Sequence, residues 1–171
     1  MDQPVLALFA TYAISMGVLV LVEGAASRFA PLLLSGATST DFSKDAAGFF
    51  LAAQVGILAV LTVAIGVVTL LTQKDDGSAG NTDVRLYYVE SYSYELATSG
   101  ILLSVVLVAQ LFWPLQPLVA CIAGEKSVNH FKFWTTVIHA AWLILNFYLF
   151  LHFIKTTLRF VEPQSRARLR L

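Results

Sequence analysis

Residues 47–72 read AGFFLAAQVGILAVLTVAIGVVTLLT, a continuous stretch without any Asp, Glu, Lys or Arg. About 20 apolar residues are enough for a helix to cross the hydrocarbon core of a bilayer. Three further apolar runs of comparable length lie at about residues 4–24, 94–121 and 133–154. The pattern predicts an all-α protein, an integral membrane bundle of four transmembrane helices.

The composition agrees with a chain whose main solvent is lipid. Of its 171 residues, 57% are hydrophobic and 13% are charged, whereas about 25% charged residues is usual for a soluble domain. Basic and acidic residues balance at 11 each, so no net charge points to nucleic acid as a partner. We expect one domain over residues 1–171, with a basic tail at 155–171. Cys121 is the single cysteine, which excludes an intrachain disulfide and a cysteine-based metal cluster.

The distribution of Lys and Arg predicts the topology. Four crossings would place both termini and the second loop on one side of the membrane. That side would carry Lys74, Arg85, Lys155, Arg159, Arg166, Arg168 and Arg170. The other side would carry Arg28, Lys44, Lys126 and Lys132. Because basic loops stay on the cytoplasmic side, we expect both termini on the cytoplasmic or matrix-like side.

Small residues recur at helical spacing in the first two runs. In the first run, Ala13 and Gly17 lie on one face. In the second, a small-residue face has steps of four, three, four and three: Ala52, Gly56, Ala59, Val63 and Gly66. Small side chains let helices approach closely in lipid, so both faces predict helix–helix packing.

Proline and polar residues predict where helices begin and end. Asp41–Asp45 is typical of the capped start of the second helix. Pro114 and Pro117 predict that the third helix bends or stops near Phe112, with 119–122 as a distorted last turn. Gly124–Asn129 is interpreted as a short loop that makes the third and fourth helices antiparallel neighbours.

Four tyrosines precede or begin the third apolar run, at positions 87, 88, 92 and 94. Tyrosine favours the membrane–water interface, which predicts an aromatic belt. A partner-binding patch is the alternative interpretation.

Polar residues within the apolar runs are the candidate functional residues, because burying them in lipid is costly. Glu23, Gln54, Gln110 and His139 would all fall in the same half of the bundle under the predicted topology. Four residues share one face of the fourth helix: Thr135, His139, Trp142 and Asn146. The candidates predict either an interhelical hydrogen-bond network or a site for a quinone headgroup or a proton relay.

The spacing of two histidines in the fourth helix argues against their binding one haem together. His139 and His152 are thirteen positions apart, about 220° around a helix at roughly 100° per residue, so they point to nearly opposite faces. A single axial ligand at His139 stays open as an alternative. The sequence contains no HExxH, Gly-x-Ser-x-Gly or paired-carboxylate pattern, and we predict no enzymatic activity and no metal site.

These patterns favour a non-catalytic, integral-membrane accessory or structural subunit of a larger membrane protein complex. Its expected partners are membrane lipids and other integral-membrane subunits, and bound lipid is expected rather than a cofactor. Arg166, Arg168 and Arg170 in the tail would contact anionic lipid or a partner subunit. The alternatives are a small transporter or channel component and a membrane anchor for b-haem or quinone. A quinone site would favour an energy-transducing inner membrane.

Overall fold

A computed structural model describes residues 10–18, 21, 40–73 and 87–161. These residues are all-helical, and none of them lies in a strand. Glu23 and the arginines Arg166, Arg168 and Arg170 lie outside the described residues.

The described residues form five helices and one separate helical turn. The first, α1, is helical over the described residues 10–18. The others are α2 (Thr40–Gln73), α3 (Ser93–Phe112), α4 (Gln116–Ala123) and α5 (Glu125–Val161). A single helical turn over 87–90 precedes α3.

Among the residues that the structure describes, three segments are long and apolar enough to cross a membrane. They are Phe42–Leu71, Ser93–Phe112 and Val128–Val161, with mean hydropathies of 2.4, 1.8 and 1.8. The prediction of an all-helical chain with membrane-spanning helices is thereby confirmed in outline. The span in α3 is the most enclosed, with 39% of it buried against 22% and 17% for the other two.

The third helix stops at Phe112, as the prolines predicted. Trp113 then adopts a left-handed backbone with φ of 47°, and its N–H donates to the carbonyl of Ala109 at 3.1 Å, which closes the end of α3. Residues 119–122 are not a distorted last turn, because a new helix begins at Gln116 with Pro117 in its first turn. Proline is tolerated there since the first-turn N–H groups have no partner within the helix.

The predicted loop Gly124–Asn129 and the predicted start of the tail at Lys155 are both wrong. Gly124 alone separates α4 from α5, and its φ of +87° is a conformation that other residues rarely adopt. From Glu125 to Val161 the helix is continuous. Hydropathy marks only the part of a helix that prefers lipid, whereas Glu, Lys and Arg continue a helix readily.

Contacts divide the chain into two units. The first comprises residues 1–54 and 102–143, and the second residues 55–101 and 144–171. Within the first unit, one core cluster is built around Met16, Trp113 and Phe131, and another around Ala47, Leu103 and Leu107.

Within the second unit, Tyr87 is a core residue rather than part of an aromatic belt. It is 1% exposed, and its ring centroid lies 6.3 Å from that of Phe153 and 5.0 Å from that of Phe160. Its hydroxyl donates to Thr157 Oγ1 at 2.7 Å, since the Thr157 hydroxyl itself donates to the Phe153 carbonyl. Tyr92 and Tyr94 are 49% and 59% exposed, as expected of interfacial tyrosines.

Candidate functional site

Gln110 of α3 and His139 of α5, two of the four residues predicted to converge, are in direct contact. His139 Nδ1 donates to Gln110 Oε1, because an amide oxygen only accepts. The amide orientation follows from Gln110 Nε2, which faces the carbonyl oxygen of Ser43 at 3.3 Å. Both residues are buried, His139 fully and Gln110 with 4% of its surface exposed.

Three residues that the sequence did not single out complete this group. The Tyr12 hydroxyl donates to His139 Nε2 at 2.8 Å. Gln110 Nε2 donates to Thr136 Oγ1 at 2.9 Å, and its distance to Ser43 Oγ is 3.1 Å. We call Tyr12, Ser43, Gln110, Thr136 and His139 the polar network. It joins α1, α2, α3 and α5 within the first unit.

In the polar network each side chain donates to the next, and the series of hydrogen bonds ends on a backbone carbonyl oxygen. The Thr136 hydroxyl donates to the carbonyl of Lys132 at 2.8 Å. The Ser43 hydroxyl therefore donates to Thr136 Oγ1, at 2.9 Å. Both ring nitrogens of His139 are occupied, so binding a haem iron there would require breaking its bond to Tyr12 or to Gln110.

The other two predicted members are Gln54 and Glu23. Gln54 is fully buried in α2, but it is not among the residues that line a cavity of about 290 Å³ next to the polar network. Glu23 lies outside the described residues. The face of α5 predicted to be polar is buried at Thr135, His139 and Asn146, with exposed fractions of 4%, 0% and 0%. In the second unit, Ser99 donates to Asn146 Oδ1 at 2.6 Å.

A cavity of about 290 Å³ adjoins the polar network in the first unit. Three network residues line it: Tyr12, Gln110 and His139. The rest of the lining is mostly apolar and includes Trp113 and Phe131. We refer to this space as the cavity.

No family model, curated protein or solved structure matches this chain. What the site can do therefore rests on its own residues.

Two polar groups on the cavity wall have no hydrogen-bond partner among the described residues. They are Thr135 Oγ1 and Trp113 Nε1, and both residues line the cavity. Their side chains are 4% and 6% exposed. The ammonium of Lys132 lies 5.4 Å from the Trp113 ring centroid and donates to Gln116 Oε1 at 3.1 Å. Sequence reasoning missed Trp113, because a tryptophan beside prolines near a helix end is typical of an interfacial anchor.

The residues that the structure describes contain no group of three or more His, Cys, Asp or Glu side chains able to hold an ion.

Proposed function

We propose that this chain is a non-catalytic, integral-membrane accessory subunit of a larger membrane protein complex. It would form a single transmembrane domain of four spans, in which the apolar run at 4–24 that contains α1 supplies the fourth crossing. Both termini would then lie on the cytoplasmic or matrix-like side. Its partners would be membrane lipids and other integral-membrane subunits.

The small-residue face of α2 is the observation that carries the proposal. All five of its residues are exposed, and a Cβ atom added at Gly56 or Gly66 would meet no described atom within 4 Å. The buried residues Ile57, Leu61 and Val68 lie on the opposite side of the helix. The close helix packing that such a face favours is therefore not made by the described residues of this chain. We infer that a helix of another subunit packs there.

The polar network supports a structural role. Its donors and acceptors satisfy one another, and the hydrogen bonds end on the carbonyls of Lys132 and Ser43. Such a chain of bonds fixes helix positions. A proton relay or ion path needs polar groups that continue to water, so the transporter and channel alternatives draw little support from this group. The haem alternative also has little support from this group, because both ring nitrogens of His139 are engaged in hydrogen bonds.

The proposal is tested by extracting the natural membrane in a mild detergent, separating particles on a native gel and identifying co-migrating chains by mass spectrometry. An accessory subunit should run in one large particle together with other integral-membrane subunits. Migration as a monomer or a small homo-oligomer would contradict the proposal.

The topology is tested separately by cysteine labelling. In a Cys121→Ser background, Ser78→Cys and Ser165→Cys should react with a membrane-impermeant maleimide from the same side. Labelling from opposite sides would contradict the four-span arrangement.

A further inference from the structure

We propose that the cavity binds a lipid-soluble ring compound with carbonyl oxygens, of the quinone class. Thr135 and Trp113 would donate hydrogen bonds to the carbonyl oxygens. This binding does not depend on the accessory role, because it follows from different residues.

The argument begins with the two unpartnered donors. Leaving a buried donor without a partner is unfavourable, so most buried polar groups in proteins are satisfied. Thr135 and Trp113 are both exceptions and both line the same cavity. Two such exceptions in the lining of one cavity favour a hydrogen-bond acceptor as its occupant.

Other threonines of the chain show that the free hydroxyl of Thr135 is unusual. A threonine within a helix commonly donates to the carbonyl four residues earlier. Thr62, Thr69, Thr136 and Thr157 all do so, at 2.8–2.9 Å. Thr135 has the same option on the same helix as Thr136, yet its hydroxyl stays unpaired beside the cavity.

The volume and the lining of the cavity suit a small ring compound that arrives from the bilayer. Its volume of about 290 Å³ is near the lower end of the usual range for small-molecule sites, about 300–1,000 Å³. The rings of Tyr12, Trp113 and Phe131 form part of the wall. Val105 and Leu115, also in the lining, are 60% and 42% exposed. An opening bordered by apolar side chains admits a compound dissolved in hydrocarbon more readily than one dissolved in water.

The charges near the cavity favour an acceptor over a donor as the occupant. A tryptophan N–H can only donate, and the Lys132 ammonium over the same indole makes that side electropositive. The Tyr12 hydroxyl, by contrast, already donates its proton to His139, so it is not a third free donor to the cavity. A carbonyl oxygen near Trp113 and Thr135 satisfies both donors, whereas an alkyl chain would satisfy neither.

The test measures binding of decylubiquinone, a short-tailed benzoquinone, to the purified full chain in detergent by isothermal titration. Wild type should bind it saturably. Thr135→Val, which removes only the hydroxyl at nearly constant volume, should weaken binding about fivefold to tenfold, and Trp113→Phe should weaken it similarly. Thr62→Val is the matched control, because its hydroxyl donates to its own helix away from the cavity.

A second variant fills the cavity without removing either donor. Ala109→Phe keeps both donors but adds a ring at an exposed lining position, so it should abolish binding. The absence of saturable binding to wild type would overturn the proposal, as would equal affinities of Thr135→Val and Thr62→Val. A stoichiometric phospholipid that co-purifies with wild type but not with Thr135→Val would also overturn the quinone class.

Discussion

The Tyr12 hydroxyl lies 2.8 Å from His139 Nε2, although 127 positions separate the two residues in the sequence. Their rings stack with centroids 5.7 Å apart and an interplanar angle of 24°. Since Nε2 accepts from Tyr12, His139 is a neutral imidazole with its proton on Nδ1, directed at Gln110. One contact thus sets both the tautomer of His139 and the position of α1 against α5 within the first unit.

Tyr12→Phe should lower the free energy of unfolding by about 1–2 kcal/mol, because it leaves the buried His139 Nε2 without a donor. The measurement is an unfolding titration with sodium dodecyl sulfate in mixed micelles. Tyr148→Phe is the control, because Tyr148 is 68% exposed. Equal stability of the two variants would show that the Tyr12–His139 bond contributes nothing.

Gln110→Leu should be more destabilising, by about 2–4 kcal/mol, since it removes the partner of His139 and of Thr136 at once. His139→Leu should be similarly costly. The double variant should cost clearly less than the sum, because the groups that each single change strands are then removed together. Additive losses in the same titration would contradict a shared network.

Ala59→Leu should weaken assembly of the proposed complex by about 1–3 kcal/mol, the usual cost of overpacking a fitted contact. The measurement is the fraction of the chain in the large particle on a native gel. Ala141→Leu is a matched control, because Ala141 is an exposed alanine in the span of α5. If both variants assemble like wild type, the small-residue face of α2 is a lipid-facing surface.

The stability of the second unit should depend on pH through Tyr87. Burial raises the pKa of the Tyr87 hydroxyl above its ordinary value, so the folded state holds this proton more tightly than the unfolded chain does. The associated stability is present below about pH 10 and is lost as the pH rises further. The free energy of unfolding of wild type should therefore fall as the pH rises above about 10.

The free energy of unfolding of the Tyr87→Phe variant should fall less steeply over that range, because phenylalanine has no hydroxyl proton to lose. Tyr94→Phe, at a position that is 59% exposed, should keep the wild-type slope. Identical slopes for all three proteins would exclude Tyr87 as the titrating group.

The sequence predicted the helical class, three of the four apolar spans and the break after Phe112, because each follows from local chemistry. The length of an apolar run can be read directly from the sequence, and a proline beyond the first turn of a helix bends or ends it. Helix ends were less predictable. The ends of α5 differ from the apolar run because charged residues extend a helix beyond the membrane core.

The candidate site was predicted only in part. Gln110 and His139 were conspicuous because amide and imidazole groups are rare in lipid. Ser43 and Thr136 were not, because a hydroxyl in a helix can satisfy itself on its own backbone. Tyr12 was inconspicuous because tyrosine is common near membrane interfaces. The sequence also could not predict which face of α2 is buried within the chain, because a small-residue face suits a contact within the chain or between chains equally well.

The five side chains of the polar network are uncharged as the structure pairs them. A membrane potential acts on a protein through charge, at about 2.3 kcal/mol for one elementary charge moved across 100 mV. Relative movement of α3 and α5 at Gln110 and His139 would displace no such charge. The network therefore holds these helices with the same strength in an energised membrane and in a depolarised one.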